Sequence, residues 1–134
     1  MNPVIAANNP DCLDVVEAVL AGRAPPPERA AEIEVLRLGL ALIDDLRPVM
    51  GMSALRTLVL TRSRVADLSP LTVLTGLREL DLKLTRIVDI GPLAVLRSLR
   101  SLILSFTSVA DLAPLRELTG LESLYLTGTL VGDV

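Results

Sequence analysis

From Ile33 onward, apolar and polar positions recur with a period of 22 residues. Aligned copies begin at Ile33, Leu55, Leu77, Leu99 and Leu121. Columns 1, 4, 6, 11, 14, 17 and 20 of the repeat are apolar at every occurrence, 33 positions without a polar exception. A fixed period of this length predicts stacked supersecondary units, each too small to bury its own apolar face. Within a copy, columns 4 and 6 point one way and columns 3, 5 and 7 the other, which predicts a short strand. Column 11 is Ile43, Val65, Ile87, Val109 and Val131, always β-branched and suited to an extended return. Column 13 is Asp45, Asp67, Asp89, Asp111 and Asp133, and column 16 is Pro48, Pro70, Pro92 and Pro114. Asp followed closely by Pro favours a capped turn with one short helical turn on the convex side. The strands of successive copies then stack in parallel, about 4.8 Å apart.

The pattern Leu-x-x-Leu-x-Leu-x-x-Thr-x-Val/Ile-x-Asp-Leu/Ile-x-Pro-Leu-x-x-Leu resembles the leucine-rich repeat, in the 22-residue bacterial variety seen in internalins. The resemblance covers residues 33–134, which is 102 of 134. It implies an α/β solenoid: a right-handed superhelix with a parallel concave sheet of about five short strands and short helical or irregular convex segments. The repeats divide as 33–54, 55–76, 77–98, 99–120 and a partial 121–134. One column departs from the family. Column 9 usually carries Asn, but here reads Ala41, Ser63, Thr85, Thr107 and Thr129. Hydroxyls can satisfy backbone groups with fewer donors, while Ala41 cannot, so the first turn is expected to be the least well tied.

The segment 1–32 differs from the repeats. Asn9-Pro10-Asp11 reads as an N-cap with proline at N1 and an acid in the first turn. Leu13, Val16, Val19 and Leu20 follow at helical spacing, with Asp14 and Glu17 on another face. Gly22 is a plausible stop, and Pro25-Pro26-Pro27 make a proline-rich linker. The result is an amphipathic helix over about 10–21, too short to be stable alone. Its apolar stripe is expected to cap the open face of the first copy; the alternative is a helix that binds a partner. Cys12 beside the stripe reads as a small buried hydrophobe rather than a nucleophile. At the other end the sequence stops at Val134, before any Pro-Leu-x-x-Leu. Either the chain is part of a longer repeat protein or something covers that end, and the isolated chain is expected to be prone to self-association through the uncapped edge of strand five.

Composition narrows the function. Net charge is −3, which argues against an extended nucleic-acid footprint. Histidine is absent, which removes imidazole acid–base chemistry and His-based metal sites. Acids, Ser and Lys occupy repeated columns without converging, so an enzyme is not expected, nor a cofactor or metal. Cys12 is the only cysteine, so no internal disulfide can form. The N-terminus lacks a basic start and a long apolar run, and no apolar stretch suits a membrane span. The expected setting is cytoplasmic, or secreted or surface-attached if the chain is part of a longer protein.

In the resembled family the concave face carries binding, which implies a protein partner. Its outward residues are those of columns 3, 5 and 7, with column 8 at the edge. Arg37, Val59, Asp81, Ile103 and Tyr125 fill column 5, Lys83 stands in column 7 and Phe106 in column 8. Ile103, Phe106 and Tyr125 form a candidate apolar anchor, with Arg62, Asp81 and Lys83 around it. Phe106 is open to two readings, exposed at the edge or folded inward at the turn. Arg56, Arg78 and Arg100 stack in column 2 as a possible anion-binding ladder; the plainer reading is that they are solvated or paired with neighbours such as Glu79. The aspartate column reads as a repeated backbone cap rather than a row of cation ligands. The expected function is a protein-interaction module. The alternative is a structural or regulatory arm of a larger multidomain protein with no binding activity of its own.

Overall fold

The computed structural model describes residues 12–39 and 43–132. Five strands follow one another in a single parallel sheet: β1 Val35–Arg37, β2 Thr57–Val59, β3 Glu79–Asp81, β4 Ser101–Ile103 and β5 Ser123–Tyr125. Their order in the sheet is their order in the chain. The register keeps each column on itself, with Leu36, Leu58, Leu80, Leu102 and Leu124 aligned in pairs. This is the expected solenoid. A shift of one residue would turn every inner leucine to solvent, so the column pattern holds the register.

Behind the sheet, each of the first four coils carries a 3₁₀ turn, at Arg47–Val49, Ser69–Val73, Gly91–Val95 and Ala113–Glu117. The aspartate column sets these turns. Asp45, Asp67, Asp89 and Asp111 each accept the backbone N–H two residues on, at 2.7–2.9 Å. Proline follows at the start of each turn, where a missing N–H removes no bond. The β-branched column makes a second ladder. The N–H groups of Arg64, Arg86, Ser108 and Leu130 reach the carbonyls of Ile43, Val65, Ile87 and Val109 in the coil before. Asp133 and Val134 lie outside the described residues, as do Leu40 and Ala41, so the expectation of a loose first turn falls outside them too.

Hydroxyls replace the usual amide in column 9 by one repeated bond. Thr85, Thr107 and Thr129 donate through Oγ1 to the carbonyl three residues earlier, at 2.6–2.8 Å. Ser63 is as buried as Thr85 and Thr107, yet its Oγ has no partner among the described residues. An unpaired buried hydroxyl costs desolvation without return. Ser63→Ala is therefore expected to leave stability unchanged or slightly raised. Thr85→Ala should lose about 1 kcal/mol. Thermal melting of both variants checks this; an equal loss in each would contradict it.

The N-terminal helix, α1, runs Leu13–Leu20. The expected cap residues Asn9, Pro10 and Asp11 lie outside the described residues, and Cys12 stands at the N-cap position. The C-terminal stop is as expected. Gly22 has φ 77°, its N–H bonds to the Val19 carbonyl, and the Arg23 N–H reaches back to Ala18. The buried stripe needs correction. Cys12, Val15, Val16 and Val19 face the core, while Leu20 is exposed and Leu13 only half-buried. Both sets fit helical spacing, and docking chose between them. Arg29 holds the roll of the helix by gripping both oxygens of Asp14, at 2.9 and 3.1 Å. Arg29 belongs to α2, a single helical turn at Pro27–Ala30 inside the expected linker. Proline at its first position starts the turn rather than preventing it.

One core cluster contains Cys12, Val15, Val16, Val19 and Ala30 together with the inner columns of the coils. Burial falls off in the fifth coil: Leu121 and Leu126 are half-buried and Leu124 is exposed. No helix among the described residues is long and apolar enough to cross a membrane.

Three carboxylates are held below the usual aspartate range: Asp14 chiefly by Arg29, Asp45 chiefly by Arg47, and Asp67 chiefly by its bonds to Ser69. The unfolded chain binds protons at these sites more readily than the fold does. Their stabilising contribution is thus complete above about pH 4 and lost as pH falls through the lowered values. With no histidine to titrate, the melting temperature is expected to stay flat between about pH 6 and 8 and to drop below about pH 4. Differential scanning calorimetry across pH checks it. A drop between pH 7 and 6 would contradict the assignment.

Candidate functional site on the concave face

Period-2 alternation delivers one side chain per strand to the same line on the concave face. In column 5, Arg37 pairs with Val59, Val59 with Asp81, Asp81 with Ile103 and Ile103 with Tyr125. Arg37 and Tyr125 at the two ends are exposed, and the three between are half-buried. Between the long end residues lies a shallow depression of about 220 Å³. It is lined by Arg37, Thr57, Val59, Glu79, Asp81, Ser101 and Ile103. Thr57, Glu79 and Ser101 come from column 3. The alternation named that column as outward but did not single these residues out.

Electrostatics in the depression are uneven. Glu79 and Asp81 lie two residues apart on one face of β3, and neither has an ion-pair partner among the described residues. Asp81 uses Oδ1 to accept the backbone N–H of Lys83 at 2.9 Å, and Glu79 accepts the Thr57 hydroxyl at 3.5 Å. The Lys83 ammonium lies instead 5.9 Å from the centre of the Phe106 ring, a cation–π distance.

Column 8 has a property the hydrophobic pattern does not reveal. Arg62, Leu84, Phe106 and Gly128 all have positive φ, from 59° to 72°. The chain leaves β2, β3, β4 and β5 through a left-handed corner, which costs an L-residue about 1–2 kcal/mol. Inter-coil bonds hold the corner: the N–H groups of Arg62, Leu84 and Phe106 reach the carbonyls of Lys83, Ser105 and Thr127 at 2.8–3.0 Å. The corner throws the side chain outward, which decides the question of Phe106. It is 49% exposed, and its ring occupies the space a Cβ at Gly128 would need, 2.4 Å from Phe106 Cδ1. The single glycine of this column, Gly128, was the one sequence sign of such a corner. The outward assignment fails at Ser105, which is buried.

Ile103 and Tyr125 are thus direct neighbours, with Phe106 at the corner beside them. Arg37 stands two strands from Asp81, across the depression. Two of the three column 2 arginines, Arg56 and Arg100, are drawn into contacts within the stack. Arg56 Nη1 donates to the Gly76 carbonyl at 3.2 Å, and Arg100 Nη1 pairs with Glu122 at 3.0 Å. A larger hollow of about 660 Å³ lies on the convex side, lined by Asp45, Arg47, Met50, Arg64 and Asp67 among others. There Asp45 pairs with Arg47 at 2.7 Å and Asp67 closes its own turn. Those charges serve the fold, whereas Glu79 and Asp81 have no ion-pair partner among the described residues. Among the described residues no group of three His, Cys, Asp or Glu is placed to hold a metal ion.

The fold is similar to that of solved proteins. An internalin (inlF) from Listeria monocytogenes shares 26% identity at a TM-score of 0.70, over 92% of this chain and 45% of that one. An internalin C2 (inlC2) from the same organism shares 22% identity at 0.63, over 92% and 66%. The leucine-rich repeat ectodomain of the Arabidopsis thaliana receptor kinase GASSHO1/SCHENGEN3, solved in complex with Casparian strip integrity factor 2, shares 21% identity at 0.66, over 79% and 14%. This chain therefore spans about half to two thirds of the length of the internalins it matches. No family model matches the chain, and no curated protein does.

Proposed function

We propose that this leucine-rich repeat protein, built from internalin-like coils, is a protein-interaction module that engages a partner through its concave face. The observation that carries the reading is the column 5 line: Arg37, Val59, Asp81, Ile103 and Tyr125 on successive strands of one sheet, with Phe106 exposed beside them. Rigid strands hold these side chains in place, so little conformational entropy is lost on binding. Exposed aromatics beside an aliphatic residue supply the kind of contact that dominates interface energies. That one similar receptor ectodomain was solved with a bound factor agrees with the reading.

Size sets the strength. Five strands span about 20 Å at sheet spacing. A stable interface needs roughly 800 Å² on each partner. A face of five short strands is expected to bind weakly, with dissociation constants of about 1 μM or above.

A pull-down from source lysate tests the reading, with Tyr125→Ala and Ile103→Ala as controls. Each truncation is expected to lower recovery of the captured partner at least about fivefold, a loss of about 1 kcal/mol. Unchanged recovery in both would sink the concave-face assignment. It would favour the second reading, a repeat arm that positions other domains.

A further inference from the structure

We infer that the concave face takes an α-helix of a partner protein, laid across the strands. The helix places a basic side chain over Glu79 and Asp81 and large apolar side chains over Ile103 and Tyr125. This rests on the reading of that face as the binding surface, and names what it binds.

The first argument is the step between strands. Successive outward residues, Asp81, Ile103 and Tyr125, sit in register on adjacent parallel strands, so they repeat about every 4.8 Å. A partner running across the strands must present side chains at the same step. On a helix, residues i and i+3 or i+4 lie about 5–6 Å apart, and i and i+7 lie about 10.5 Å apart. Two strand steps are about 10 Å. An extended chain shows same-face residues every 6.6–6.8 Å or so, and falls out of step by the second strand.

The second argument is shape. Each strand has three residues, which span about 10 Å. The face is therefore a strip about one helix wide. Its length of about 20 Å accepts roughly 13 helical residues.

Charge supplies the third. The Glu79 and Asp81 carboxylates have no ion-pair partner among the described residues, and the Lys83 ammonium lies 5.9 Å from the centre of the Phe106 ring. They sit in a depression flanked by Val59 and Ile103, with Arg37 at its far edge and the small Thr57 and Ser101 leaving room. An Arg or Lys from the partner can lay its methylenes on those aliphatics and bring its head group to the carboxylates. One step further, Ile103 and Tyr125 present an apolar surface, with Phe106 at its edge.

Display selection on the whole chain tests the inference. Two libraries are used: a helical scaffold randomised on one face, and a randomised extended loop. The helical library is expected to win, with Arg or Lys at one position and large apolar residues at i+3 or i+4 and at i+7. The same binders are then titrated against the Glu79→Gln/Asp81→Asn double variant. It removes both charges, while the Asn side-chain oxygen can still accept the Lys83 N–H. Affinity should fall about tenfold, and a fresh selection on the variant should lose the basic preference but keep the apolar one. The inference is overturned if the extended library wins, if the helical library yields no binder, or if its binders lack the basic residue or bind the variant equally well. Tyr125→Ala separates the two levels. Binders from either library that hold Tyr125→Ala as tightly as the native chain would show that the concave-face reading itself has failed.

Discussion

Deleting residues 1–24 is expected to destabilise the solenoid strongly and to make it associate. The deletion removes Cys12, Val15, Val16 and Val19, none more than 6% exposed. These side chains share one core cluster with Ile33, Leu36 and Leu38 of the first coil. Burying a valine-sized side chain is worth about 1.5 kcal/mol or more. Ordering the short helix takes back part of that. A net loss of about 3 kcal/mol lowers the melting temperature by roughly 10 °C at this chain length. The first coil would then expose contiguous apolar surface, so the truncated chain should elute larger than a monomer. Val16→Asp in the full chain is expected to reproduce the loss, since it places an unpaired charge in the same interface. Circular dichroism melting with multi-angle light scattering reads both effects. A truncated chain as stable and monomeric as the parent would show that α1 is no cap, and the partner-helix alternative would gain.

Leu80→Ala should cost about 2–5 kcal/mol, the range for a leucine truncated in a closed core. Leu124→Ala, in the same column, should cost less than about 1 kcal/mol. Leu80 is 2% exposed and sits between Leu58 and Leu102. Leu124 is 37% exposed and is paired with Leu102. The same substitution thus opens a cavity in one coil and trims a surface in the other. Urea unfolding of the two variants measures the difference. Equal losses would mean that something covers the fifth coil in solution.

Much of this molecule is readable from its sequence. The seven apolar columns determine the inner wall, because only one register buries all of them. Asp45, Asp67, Asp89 and Asp111 announce the convex turns, since an aspartate can close such a turn with its own side chain. Gly22 marks the end of the first helix for a similarly local reason. The concave candidates were legible too, because alternation alone sorts column 5 from columns 4 and 6.

Tertiary structure decided what local pattern leaves degenerate. In α1, the expected set Leu13, Val16, Val19 and Leu20 and the buried set Cys12, Val15, Val16 and Val19 both fit helical spacing. Only docking, with Arg29 on Asp14, selects the second. The left-handed corner at Arg62, Leu84 and Phe106 is invisible in residue types that disfavour it, because bonds to the next coil impose it. That corner turned Phe106 outward over Gly128, with its ring 5.9 Å from the Lys83 ammonium. The sequence by itself determined which faces exist, since periodicity is a one-dimensional property of the chain. Which side chains stand free on those faces was settled only by the stacking of one coil on the next, where strain, hydrogen bonds and charge are shared between residues 22 positions apart.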